Sequence, residues 1–189
     1  MEFPEIKNKI AKKLTPNRYQ HSLDVCETAG ILAQRFNVNV EQAKIAGILH
    51  DCAREFSLES LLSYADLYKI ELSDIEKKHP ILLHSYVGAK IAENEYCITD
   101  QEILQAIRLH TTGGVNMSKL DKIIYLADAI EQGRCYPGVE EIRAYSQVDL
   151  DKAVLLTIDR SIQYLIKKKN ILHPDTILAR NELIIKNTK

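Results

Sequence analysis

AGILHDCAREF, residues 46–56, is the stretch whose reading decides the fold. It belongs to a longer run, AKIAGILHDCA (43–53), that is apolar nearly all round a helical wheel. A helix of that kind sits at the centre of a structure rather than on its surface. His50 and Asp51 follow Leu49 at once, with no polar lead-in. A buried charge costs roughly several kcal/mol unless it is paired or coordinates a metal. Two questions follow: what surrounds this helix, and what neutralises its imidazole and carboxylate.

Outward from this stretch the text is helical in both directions. Phe3, Ile6, Ile10 and Leu14 mark one face of a short first helix. Thr15-Pro16 supplies an N-cap with Pro at the first position, opening a helix to about Phe36 with Tyr19, Leu23, Cys26 and Ala33 facing inward. Asn39-Val-Glu-Gln42 reads as a capping box for the central helix. Downstream, Ser57 starts a short amphipathic piece and Pro80 begins ILLHSYVGAKIAENEY. Thr99-Asp-Gln-Glu102 reads as a second capping box, for a helix ending near His110. Thr111-Thr-Gly-Gly114 breaks the chain, and Ser118 opens KLDKIIYLADAIEQG, which Gly133 stops. Asp149 caps a long helix to Lys169, and His173-Pro174 precedes a final one. The sequence shows neither an Asn-Gly hairpin nor sustained alternation, so the predicted fold class is all-α.

Composition narrows the function. The chain has 189 residues, enough for one domain with a real core, and a net charge of −1. No basic field advertises nucleic acid or an anionic membrane. A polyanionic small substrate would need a local source of positive charge. Cys26, Cys52, Cys97 and Cys135 are scattered without a CxxC pair and read as reduced thiols of a cytoplasmic protein. No run approaches the length of a membrane span, and the first residues lack the apolar stretch of a signal peptide. Partners are therefore expected to be small molecules, and a homodimer is left open.

The chemistry lies in a set of histidines and aspartates. His21, His50, His84 and His110 stand on or beside strongly apolar helical text; His79, before Pro80, reads as a helix-entry histidine. Asp51 ends the central helix, and Asp128 sits in IIYLADAI with apolar residues on every side. No Lys or Arg stands three or four residues from Asp128, and Arg134 lies more than a turn away. A metal ion is the expected partner. Imidazole and carboxylate donors without Cys suit Fe, Mn, Co or Zn in a functional site. Separate helices deliver such ligands to a bundle core. A bound divalent ion lowers the pKa of its water from about 15.7 to about 7 and polarises a phosphoryl oxygen. The di-iron carboxylate alternative needs Glu-x-x-His on two helices, and Glu76-Lys-Lys-His79 stands alone.

The ordered set His21, His50-Asp51 and Asp128 resembles the HD-domain metal-dependent phosphohydrolases. NRYQHS (17–22), LHDCAREF (49–56), LLHSYVGA (82–89), IRLHTTGG (107–114), LADAIEQGRCYPGVEEIR (126–143) and LHPDTILARNE (172–182) narrow the resemblance. They look like the bacterial YqeK-type branch, which hydrolyses bis(5'-nucleosyl)-tetraphosphates symmetrically, and the similarity covers nearly the whole chain. It implies a single helical HD-domain bundle over residues 1–189, with a metal-site core at about 17–135 and helices over 149–187 completing the pocket. It implies hydrolysis of diadenosine tetraphosphate to two ADP by metal-bound hydroxide. The cation would be iron first, with Mn, Co or Zn as alternatives, held by His21, His50, Asp51 and Asp128. His84 and His110 match further family positions, serving either a second metal bridged by Asp51 or the substrate phosphates. One ion with phosphate contacts is the favoured reading. Arg18, Arg54 and Arg134 are expected as phosphate clamps and Thr111 as a donor beside them. His173, Pro174, Asp175, Thr176 and Arg180 are expected to close over base or ribose. Two departures bear on substrate preference: Arg54 stands where the family tends to have Lys, and Ile130-Glu-Gln-Gly-Arg134 replaces IEPxR, with Gly133 expected to loosen the turn that presents Arg134. The alternatives are another HD nucleotide phosphohydrolase, such as a nucleotidase or alarmone hydrolase, and a non-catalytic nucleotide-binding HD module.

Overall fold

The structure, a computed structural model, describes residues 1–187. Within them the chain is helical, with no strand. Helix α1 (Phe3–Ala11) leads into α2 (Pro16–Arg35), whose N-cap Thr15 accepts a hydrogen bond from the Arg18 N–H. Helix α3 (Val40–Leu49) carries the central run, with Ala43, Ala46, Gly47, Ile48 and Leu49 buried. Helix α4 (Leu58–Leu67) starts at Ser57, and α5 (Asp74–Lys78) follows. A single 3₁₀ turn over Pro80–Leu82 precedes α6 (Leu83–Glu95). Then come α7 (Gln101–Leu109), α8 (Lys119–Ile130), α9 (Val139–Tyr145), α10 (Leu150–Lys167) and α11 (Pro174–Asn187).

Helix α3 is the hub. It packs on α2, α7 and α8, and α6 packs on α7. Gly47 makes the α2–α3 approach possible. A Cβ there would lie 2.9 Å from the Cys26 Cα, which no real side chain tolerates. The buried core runs continuously from Ile6 and Ile10 through Leu49, Ile107 and Ile124 to Ile158.

Several boundaries differ from the sequence reading, each for a local reason. Asn39 caps α3 by accepting from the Glu41 and Gln42 N–H groups. The Gln42 side chain does not close the box, because its amide reaches across to Asp100, 2.6 Å away. The N-cap of α7 is Asp100 rather than Thr99; its carboxylate accepts from the Glu102 N–H at 2.9 Å. Helix α8 ends at Ile130, ahead of Gly133, because Glu131 turns to ψ 160°. Helix α10 stops at Lys167, and Lys169 adopts φ +55°. The reading missed α5 and α9. Helix α5 carries its own signature, a Ser73/Glu76 capping box. Gly138, at φ +90°, turns the chain into α9. All four cysteines are unbonded. Burial pushes the Cys52 thiol up to about 12, so it is no nucleophile.

Candidate active site

Four histidines reach one place from four elements, three of them by the same local device. His50 ends α3, His110 ends α7, and His84 stands in the first turn of α6. Each donates its Nδ1–H to the carbonyl three residues earlier: His50 to Gly47 at 2.7 Å, His84 to Ile81 at 2.5 Å, His110 to Ile107 at 2.7 Å. His21, on α2, turns its Nδ1 to Glu131 Oε1 at 3.3 Å instead. With the proton placed on Nδ1, the neutral tautomer leaves Nε2 with a free lone pair, the form a metal ligand needs.

The four Nε2 atoms converge on two carboxylates. His21 Nε2 lies 3.0 Å from Asp128 Oδ1 and 3.8 Å from Asp51 Oδ2. His50 Nε2 lies 3.5 Å from Asp51 Oδ2 and 3.9 Å from Asp128 Oδ1. The other Asp51 oxygen, Oδ1, faces His84 Nε2 at 3.3 Å and His110 Nε2 at 3.5 Å. Asp51 thus stands between two pairs of imidazoles. Those imidazoles hold its carboxyl well below the ordinary carboxylate value, overriding the opposing effect of burial. Burial keeps His84 below the ordinary histidine value, despite its contact with Asp51.

Whether this set suits a cation is decided by His21 and His50. Their buried Nε2 atoms face carboxylate oxygens but make no well-aligned hydrogen bond to them. Leaving such groups unmatched costs about 1–3 kcal/mol each. A divalent ion accepting both lone pairs removes that cost, and Asp51 and Asp128 supply the negative charge. His21, His50 and Asp51 can present ligand atoms within 4.8 Å of one another, and so can Asp51, His84 and His110. The donor set therefore fits a bound metal ion.

The floor of imidazoles and carboxylates opens into a cavity of about 340 Å³. Arg18, Arg54 and Arg134 stand in its wall. Arg18 donates to Asp51 Oδ2 at 2.8 Å. Arg134 overturns one step of the sequence reading. It lies beyond the end of α8, and the chain there folds back. Its Nη2 donates to Asp128 Oδ1 at 2.5 Å and its Nε to the Asp128 carbonyl at 2.8 Å. Asp128 therefore has a cationic partner, and its side chain keeps 27% of its surface on the cavity rather than being sealed in. Gly133 pins this turn rather than loosening it: its N–H donates to Glu131 Oε2, and a Cβ there would meet that oxygen at 3.0 Å. Arg54 has no ion pair among the described residues and faces the cavity with its charge free. Thr111 Oγ lies 3.1 Å from His110 Nε2 and 3.2 Å from His84 Nε2.

The C-terminal group, expected to close over base or ribose, is not among the residues lining this cavity. His173 is buried against Glu76, with Nε2 2.8 Å from Oε1. The Thr176 hydroxyl donates to the Thr112 carbonyl at 2.8 Å, and Arg180 is held by Asp159. His173, Pro174 and Asp175 line a separate cleft beside Tyr86. Their polar atoms fasten α11 behind the Thr111–Thr112 turn, so they support the cavity without lining it. His79 is exposed, away from the cluster.

Sequence reasoning missed the orienting residue Glu131 and the lining residues Tyr125, Ala129, Thr157 and Ser161. Glu131, three residues after Asp128 and 4% exposed, orients His21; a buried glutamate at the end of an apolar helix was its signal. Thr157 and Ser161 line the cavity from α10, one turn apart on its inner face.

A family model of the HD domain matches residues 18–133, and the chain belongs to that family. Within the family, it is 40% identical to a Halalkalibacterium halodurans protein named bis(5'-nucleosyl)-tetraphosphatase, symmetrical, over 93% of this chain and 94% of that one. A Bacillus subtilis protein of the same name is 37% identical over the same shares. An HD superfamily hydrolase from Clostridium acetobutylicum, known from its crystal structure, superposes with a TM-score of 0.95 at 41% identity, covering 98% of both chains.

Proposed function

We propose that this protein cleaves dinucleoside tetraphosphates symmetrically, converting diadenosine tetraphosphate and water into two ADP, with a metal cofactor. One observation carries the reading: four imidazoles spend Nδ1 on protein acceptors and turn Nε2 toward two carboxylates at the floor of an arginine-walled cavity. The names of the near full-length relatives point the same way. His21, His50, Asp51 and Asp128 would hold the cation, iron first, with Mn, Co or Zn suiting the same donors. A divalent cation there supplies Lewis acidity toward a phosphoryl oxygen and toward water.

The chain's own residues do the rest. Arg18, Arg54 and Arg134 bind phosphate oxygens, which guanidinium forks match in bidentate fashion. Arg18 and Arg134 are already aimed by Asp51 and Asp128, so the clamps are positioned before substrate arrives. Charge in phosphoryl transfer spreads over the phosphoryl oxygens, so this positioning is most of the catalysis. His110 keeps Nδ1–H on the Ile107 carbonyl, so it would first take up a proton at Nε2, beside Thr111, and then pass that proton to the departing diphosphate.

One ion with His84 and His110 turned to phosphate is the reading adopted. A second ion is favoured by one contact. His84 Nε2 and His110 Nε2 lie 3.2 Å apart, and both rings donate through Nδ1 to carbonyls. Two lone pairs then face each other beside Asp51 Oδ1, a place suited to positive charge. The metal-to-protein ratio of wild type and His84→Ala separates the two.

Turnover of a panel of dinucleoside polyphosphates, nucleoside triphosphates and guanosine tetraphosphate, with metal stripped and then restored, tests the function. The expected result is metal-dependent formation of ADP alone from diadenosine tetraphosphate. Formation of ATP plus AMP, or no cleavage after metal is restored, overturns it.

A further inference from the structure

The cavity that holds the cluster does not end there. Ala129, Arg134, Thr157 and Ser161 are shared with a second, larger cavity of about 700 Å³. Beyond that junction the wall changes character. Tyr136, Pro137 and Tyr164 bring apolar and aromatic surface, and Lys167 stands at the far end. On α10 the lining residues Thr157, Ser161, Tyr164 and Lys167 form one stripe at helical spacing. That stripe extends about 15 Å along the helix axis. One helix face is therefore the common wall of a charged compartment and an aromatic one.

We propose that the second cavity is the nucleoside subsite, with the base stacked in the aromatic part and the ribose and phosphates running past Arg134 toward the cluster. This rests on the reading of the first cavity as the phosphate site. Three features favour a nucleoside as occupant. The volume falls in the range of small-molecule sites and exceeds that of the charged cavity. The Tyr136 ring is fixed by its hydroxyl, which donates to the Ala129 carbonyl at 3.0 Å, so one aromatic wall is rigid before a ligand arrives. Tyr164 is 59% exposed, an aromatic ring left largely in solvent at the mouth of a groove. Aromatic faces of this kind take any base. Arg160, held by Glu141 and the Pro137 carbonyl, forms a fixed floor rather than a free clamp. The subsite also accounts for the placement of His173 to Arg180 outside the cavity: the base is served from α10 and the 134–137 turn instead.

Calorimetric binding of ADP and of inorganic diphosphate to metal-loaded wild type, Tyr164→Ala and Tyr164→Phe tests this. Tyr164 is exposed, so its replacement leaves the fold intact, which an unchanged thermal midpoint verifies. The expected result is about tenfold weaker ADP binding in Tyr164→Ala, unchanged diphosphate binding, and recovery in Tyr164→Phe. ADP binding equal to wild type in Tyr164→Ala, or an equal loss of ADP and diphosphate, overturns the subsite. Absence of diadenosine tetraphosphate cleavage by wild type would instead overturn the hydrolase reading, and the ADP and diphosphate comparison is read without it.

Discussion

At the scale of single residues, the site is a problem of placing protons. Burial alone would lower the pKa of His21 and His50, yet the carboxylates around them outweigh it, Asp128 beside His21 and Asp51 beside His50. Without a cation both imidazoles therefore hold their protons above the ordinary histidine value. A metal must displace those protons, so metal affinity rises with pH through that range and falls on acidification. Metal-binding isotherms between about pH 6 and about pH 8.5 check this, and affinity independent of pH would contradict it. Glu131 orients His21 through Nδ1, and partners of that kind are worth about 10–100-fold in metal affinity. Glu131→Ala should weaken metal binding by that factor. Asp128→Ala should reduce turnover by more than about 100-fold, because the same substitution also releases Arg134.

At the scale of elements, the geometry depends on how closely α3 can approach α2. Gly47 does two jobs there: it lets the backbones touch, and its carbonyl fixes the His50 ring. Gly47→Ala should cost about 1–3 kcal/mol by overpacking, seen in denaturant unfolding, and should lower metal affinity as His50 shifts. A caps-only substitution separates stability from chemistry. Asp149 accepts from the Lys152 N–H at 3.0 Å at the start of α10. Asp149→Ala should lose about 1 kcal/mol of stability and leave metal affinity unchanged.

For the molecule as a whole, the start of the C-terminal helix is fastened by a buried hydrogen bond between His173 and Glu76, outside the lining of the cavity. Burial would raise the Glu76 carboxyl, but hydrogen bonds from Ser73 and His173 overcome this and bring it from 4.5 down to about 2. A carboxyl depressed by folding adds stability above its ordinary value and loses it as pH falls toward the folded value. The contribution is about 1–3 kcal/mol, present above about pH 5 and lost between about pH 4.5 and about pH 2. Urea unfolding across that range should show a fall that is shallower in Glu76→Gln; identical slopes would contradict it.

The sequence by itself determined the helical class, most caps, and the imidazole and carboxylate types that gather at the site. Periodicity, Thr15-Pro16, Ser118 and Asp149 act within a few residues, and a histidine followed by an aspartate after an apolar run signals its own cost. The carbonyl three residues before each of His50, His84 and His110 is likewise local, and it settles their tautomers. What tertiary structure alone decided was which charge meets which. Arg134 reaches Asp128 only because the chain doubles back after α8, and Glu76 finds His173 across 97 residues. Gln42 abandons a local cap for Asp100 on another helix. Local hydrogen bonds follow from neighbouring residues and backbone geometry. Pairing of long charged side chains is set by the relative placement of whole helices, which depends on the packing of the entire core.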